Sequence, residues 1–147
     1  MTDTNILSAL EEQVEWYQRL AKLAELQHEH VQQYQTEELL DVLRRRQEVL
    51  DQVGRLEEMI RPAKRQWSQY MTELDELQRT KAEMLLAQTR QLLEEITSAD
   101  RNDALALQQR KLNLGKQINQ AQSARQVNRT YAASAYGTRV ARMDVSR

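Results

Sequence analysis

The chain has no cysteine, a single proline and only three glycines among its 147 residues. Without thiols there is no disulfide framework, no Cys-based zinc site and no thiol nucleophile, which fits a reducing compartment. Gly54, Gly115, Gly137 and Pro62 supply almost none of the turn chemistry that a sheet needs between its strands. No run of about 18 apolar residues is present to span a bilayer, and MTDTNILSALEEQ lacks the basic start and apolar core of a secretory signal. The expectation is an all-α protein, soluble and cytoplasmic, with no membrane insertion.

What the chain does have is Leu, Gln, Glu, Ala and Arg in abundance, with 40% apolar and 29% charged residues, enough for one domain with a modest core. The formal net charge of −1 conceals an asymmetry. From residue 101 onward nine Lys/Arg stand against two Asp/Glu, which leaves twelve against twenty before it, so +7 and −8 sum to −1. Such a basic segment suits nucleic acid, an acidic protein or the chain's own acidic helices.

The clearest helix runs from Thr36 to Arg61. Thr36 is placed to cap it, and Glu37 and Glu38 put negative charge at the positive end of its dipole. Leu39, Leu40, Leu43, Leu50, Val53 and Ile60 recur at three- and four-residue steps, with Val42, Val49 and Leu56 widening the stripe. Arg44, Arg45 and Arg46 splay through about 200° and suit a solvated face. Pro62, without an N–H, predicts a kink or a turn.

Before it, a first helix is expected from Thr4 or Asn5 to about Tyr34, with the coiled-coil spacing of Leu7, Leu10, Val14, Tyr17, Ala21, Ala24 and Val31. At about 1.5 Å per residue its 30 or so residues span roughly 45 Å, too long for a compact globule of this size. A third helical segment is expected from Pro62 to about Ile96. Thr97 to Asp103 then gathers Ser, Asp and Asn side chains that compete with the backbone for hydrogen bonds, which predicts a reversal of the chain. A fourth helix covers about Asp103 to Tyr131. The expected architecture is an elongated, antiparallel, coiled-coil-like bundle of three to four helices over residues 1–131, with a flexible basic tail over 132–147. Leu10, Val14, Tyr17, Leu43, Leu50, Val53, Leu74 and Leu85 are its candidate core.

Catalytic and metal chemistry find little purchase. His28 and His30 are two apart on a helix and point to different sides, so they cannot grip one atom. Glu25-x-x-His28 matches half of a di-iron carboxylate motif, but a second Glu-x-x-His is missing. There is no glycine-rich phosphate loop, and Gly115 stands alone mid-helix. The basic C-terminal residues Arg125, Arg129, Arg139, Arg142 and Arg147 can touch phosphate, yet nothing reads bases, so no nucleic-acid partner is expected. A binding module is favoured over an enzyme, and no cofactor is implied.

Three stretches together resemble the FlgN-type flagellar export chaperones. They are the long amphipathic first helix, the central LLDVLRRRQEVLDQVGRLEEMI, and QLLEEITSADRNDALALQQRKLNLGKQINQAQSARQVNRTYAASAYG, in which a Leu-rich helix ends, a short Asp-containing turn follows and another helix leads into a Tyr-bearing tail. The resemblance implies a cytoplasmic helical bundle of the type III secretion pathway in bacterial flagellum biogenesis. It would bind a hook-associated or related axial protein, prevent premature assembly and deliver it to the export gate. On the matching positions, Leu107, Leu114, Ile118 and Val127 would bind the client, and Tyr131 and Tyr136 would dock at the gate. The basic tail beyond Gly137 departs from the family pattern. The alternative is a structural coiled coil or homodimeric scaffold without a client, and a third class is a helical di-iron enzyme.

Overall fold

A computed structural model describes the backbone of residues 2–145 and the side chains of residues 5–133. The described residues form four helices and no strand: α1 (Thr2–Gln32), α2 (Thr36–Arg65), α3 (Trp67–Glu73) and α4 (Glu76–Val145). The protein is an all-α helical bundle. Its chain divides into two compact units, Met1–Leu105 and Ala106–Arg147. The first holds α1, α2, α3 and α4 up to Leu105.

Within this unit α1 and α2 run antiparallel. Gln13 donates to Glu57 at 3.0 Å and Arg55 to Glu12 at 3.1 Å, while Arg46 donates to Gln27 nearer the turn. The turn itself is a Schellman closure. The Gln35 N–H donates to the His30 carbonyl at 2.9 Å and that of Tyr34 to Val31 at 3.4 Å, with Tyr34 in the left-handed region at φ 59°. Gln35, rather than the expected Thr36, occupies the N-cap of α2, and its side chain makes no cap hydrogen bond. Its Oε1 lies 2.6 Å from His30 Nδ1 instead.

α1 and α4 run parallel, since Glu11 pairs with Lys81 and Gln27 bonds Asp103. Pro62 neither ends nor turns the chain: α2 continues to Arg65, and the break comes at Gln66. α3 then ends at the extended Leu74, and Asp75 opens α4 with a reciprocal cap. Gln78 N–H donates to Asp75 Oδ1 at 2.8 Å, and Asp75 N–H to Gln78 Oε1 at 3.3 Å. Arg79 covers the carbonyls of Met71 and Leu74, satisfying acceptors that the end of α3 exposes.

The reversal expected over Thr97–Asp103 does not occur. α4 passes through it without a break and continues past Tyr131 to Val145, where an irregular tail was expected. The core has two clusters. Ile6, Leu10, Val14, Leu56, Ile60, Tyr70, Leu74 and Leu85 belong to the first, and Leu20, Val49, Val53 and Ile96 form the second. Leu43 and Leu50 are exposed, against expectation, and Tyr17 is half-buried beside the second cluster. The buried face of α2 is Val42, Val49, Val53, Leu56 and Ile60, one position round from those leucines.

Between the helices Glu57 is drawn in two directions. Burial by itself would push its carboxyl up, but hydrogen bonds from Gln13 and Lys64, with the charges of Lys64 and Arg61, hold it below the usual carboxylate range. A lowered folded value stabilises the fold above the ordinary glutamate range and is lost as pH falls through it. Glu57→Gln is therefore expected to leave a denaturant midpoint that depends less on pH below about 4.3. Midpoint-against-pH curves that run parallel for the two proteins would refute this. Tyr17 shifts upward, mainly by burial and then by the Glu57 charge, so its contribution is full below the ordinary phenol range and fades as pH rises through the raised value.

Candidate functional site

Two constellations of side chains stand out, one in each unit. The first lies where α1, α2 and α4 meet. Arg46, 13% exposed, donates through both terminal nitrogens to Asp100, at 2.6 and 2.7 Å, and also to Gln27. Gln27 donates in turn to Asp103 at 3.1 Å, and His28 Nδ1 lies 2.8 Å from the other Asp103 oxygen. Asp103 is 1% exposed. Hydrogen bonds donated to Asp100 push the Arg46 guanidinium above its ordinary value; burial opposes this, and the charges of Asp100 and Asp103 assist. Every side chain of this set has a partner, as buried polar groups require. It ties three helices together and leaves no open coordination position.

The arginine run is therefore not one solvated face. Arg44 and Arg45 reach Asp41 on the surface, at 3.9 and 3.2 Å, whereas Arg46 turns inward. The two histidines go to different partners, Asp103 and Gln35. Among the described residues no group of three or more His, Asp or Glu side chains could hold a metal. Sequence reasoning missed this cluster because Ser98, Asp100, Asn102 and Asp103 read as turn chemistry. The available signal was phase: Asp100 and Asp103 stand four and seven residues after the core residue Ile96.

The second constellation is the helix of residues 106–133. None of its side chains is buried. Leu107 is 41% exposed, Leu114 57%, Ile118 49%, Val127 59% and Tyr131 77%, so these are surface and not core residues of the described chain. The side chain of Tyr136 lies outside the described residues. At about 100° per residue Leu107, Leu114, Ile118 and Ala121 occupy one narrow sector of the helix, and Lys111, Arg125 and Arg129 fall in the same sector. Val127 and Tyr131 lie on another side, with Leu112. The helix thus has two apolar faces, with Val127 apart from the other three candidate client-binding residues.

Residues 106–133 carry Arg110, Lys111, Lys116, Arg125 and Arg129 and no Asp or Glu. Apolar and basic groups share a face, whereas a helix packed along one side of a bundle separates them. That combination suits a partner offering both an apolar ridge and carboxylates.

The fold and this face define an all-α bundle protein with an exposed apolar and basic helix. No family model, curated protein or solved structure matches the chain. Among the described residues no helix is long and apolar enough to cross a membrane.

Proposed function

We propose that the protein is a flagellar type III export chaperone, acting in the cytoplasm. Its work is to bind an axial protein of the hook-associated type, keep it from assembling early and deliver it to the export gate. The observation that carries this reading is the exposed apolar face of Leu107, Leu114 and Ile118 on a long helix. An amphipathic client helix, unfolded until assembly, gains a surface to lie on, and the chaperone helix gains cover for leucines that water penalises. The sequence resemblance to the FlgN-type chaperones in the first and central helices supplies the biological setting, while the Asp-containing turn that belonged to it is helix in this chain. Binding needs no chemistry, so the proposal assigns no reaction.

Capture of hook-associated proteins is the direct test. Replacing Leu107, Leu114 and Ile118 together by Ser is expected to weaken capture about tenfold or more. The melting transition of the bundle should stay nearly unchanged, because none of the three is buried. Tyr131→Ala with Tyr136→Ala is expected to spare capture and reduce delivery at the gate, read as client secreted by cells. Capture that survives the triple replacement would sink the client reading and favour a coiled-coil scaffold.

A further inference from the structure

The helix of residues 106–133 leaves six large apolar side chains exposed: Leu107, Leu112, Leu114, Ile118, Val127 and Tyr131. Leu107, Leu114 and Ile118 share one side of the helix and Leu112, Val127 and Tyr131 another, so apolar side chains stand bare on two sides of it. Lys111, Lys116, Arg125 and Arg129 on the same helix make no ion pair among the described residues. Apolar contact and unspent positive charge therefore occur together.

The complementary surface is in the first unit. A pocket of about 410 Å³ opens between the end of α1 and the start of α2, over Leu26 and Val42. Glu37, Glu38 and Asp41 stand around it, with Arg45 and His30. Arg45 is held by Asp41 at 3.2 Å and His30 by Gln35, which leaves Glu37 and Glu38 without a basic partner among the described residues. Residues 1–100 as a whole hold twelve Lys/Arg against twenty Asp/Glu (21 less nine, 22 less two). The helix combines uncovered apolar side chains with unpaired positive charge, and the pocket combines the partly exposed Leu26 with unpaired negative charge, Val42 itself being buried.

We infer that two copies of this chain associate by seating the apolar, basic face of residues 106–133 of one copy on the acid-rimmed pocket between α1 and α2 of the other. Leu114 and Ile118 enter over Leu26, Lys111 on the same face meets Glu37 and Glu38, and Arg125 and Arg129, further along the helix, add attraction at longer range. The arrangement is reciprocal, since each copy offers both surfaces, and a two-fold pair closes without propagating. Opposite potentials speed the encounter and fix the register, while the apolar contact supplies most of the affinity. This association is tested without a client, but it covers the same Leu114 and Ile118, so a client and a second copy compete for that face.

Sedimentation of the full chain, with no client present, tests it. The wild type is expected at twice its 17.3 kDa mass, with a dimer fraction that falls as salt is added. One variant carries Glu37→Lys with Glu38→Lys, and another Lys111→Glu, Arg125→Glu and Arg129→Glu. Each by itself is expected to dissociate about tenfold or more readily. Mixing the two, or combining all five replacements in one chain, should restore the dimer. Circular dichroism verifies folding, and Gln at the same positions is a second set that removes charge without adding repulsion.

A wild type that stays monomeric at every concentration overturns the inference. So do reversed variants that remain as dimeric as the wild type, or pairs that fail to recover. A monomeric chain whose basic helix takes a random-sequence oligonucleotide overturns it in favour of nucleic acid. Client capture is read in a separate assay, so failure here and failure of the chaperone reading are distinguishable.

Discussion

Replacing Leu56 by Ala is expected to cost the bundle about 2 to 5 kcal/mol, as deletion of a fully buried leucine side chain does where the cavity cannot collapse. Leu56 is 0% exposed, in the cluster that also holds Leu10, Ile60 and Leu85. Those neighbours come from α1, α2 and α4, so closing the hole would require helices to move together. Leu50→Ala is the control. At 41% exposed, it should cost less than about 1 kcal/mol, because its side chain is already in contact with water. Urea titrations of the two variants, with slopes near that of the wild type, would rank them. Equal midpoints would mean that α2 presents a different face to its neighbours than the one described here.

The second large effect is expected at Asp103. Removing its carboxylate with Asp103→Ala leaves the Gln27 amide, itself 7% exposed, donating to nothing, and strips one carboxylate from beside the inward-turned Arg46. A buried donor left unsatisfied costs about 1 to 3 kcal/mol. His28, more than half exposed, can turn to water and should add little. The instructive comparison is Gln27→Leu, Arg46→Met and Asp103→Leu made together. Replacing a satisfied buried polar set by packed apolar groups is often neutral or stabilising, by up to about 4 kcal/mol. If Asp103→Ala melts like the wild type, water already reaches the cluster and its hydrogen bonds are not what ties α1 to α4.

Much of the fold was legible from periodicity. The seam of Leu7, Leu10, Val14 and Ala24 on α1 is buried, as the three- and four-residue steps imply, and Leu74 and Leu85 join it. Periodicity was weaker on α2, where leucines and valines stand side by side. Leu43 follows Val42 and Leu50 follows Val49, so a rotation of about 100° exchanges one apolar set for the other. Arg46 resolves the choice in the folded chain. Its guanidinium must reach Asp100 and Gln27, and with that side chain turned inward Val42, Val49 and Val53 face the neighbours while Leu43 and Leu50 stay outside.

The candidate interaction face was legible in part. Leu107, Leu114 and Ile118 were singled out at the right spacing, but spacing is the same whether a stripe is covered or bare. Only burial separates a core helix from an exposed one, and none of the side chains from residue 106 to 133 is buried. Val127, grouped with the client-binding residues by the resemblance alone, lies on another side of the helix from Leu107, Leu114 and Ile118.

By itself the sequence determined the helical class, because a chain with one proline, three glycines and dense Leu, Glu, Gln and Ala has neither the turns nor the alternation for a sheet. It also determined the charge division and the spacing of each stripe, since both are properties of residue order. The tertiary structure decided whether Thr97–Asp103 is a turn. Its Ser, Asp and Asn side chains favour leaving a helix when their alternatives are local, yet Asp100 and Asp103 find donors on α2 and α1, 54 and 76 residues away along the chain. Those long-range partners satisfy the polar groups while the backbone stays helical, so α4 runs on.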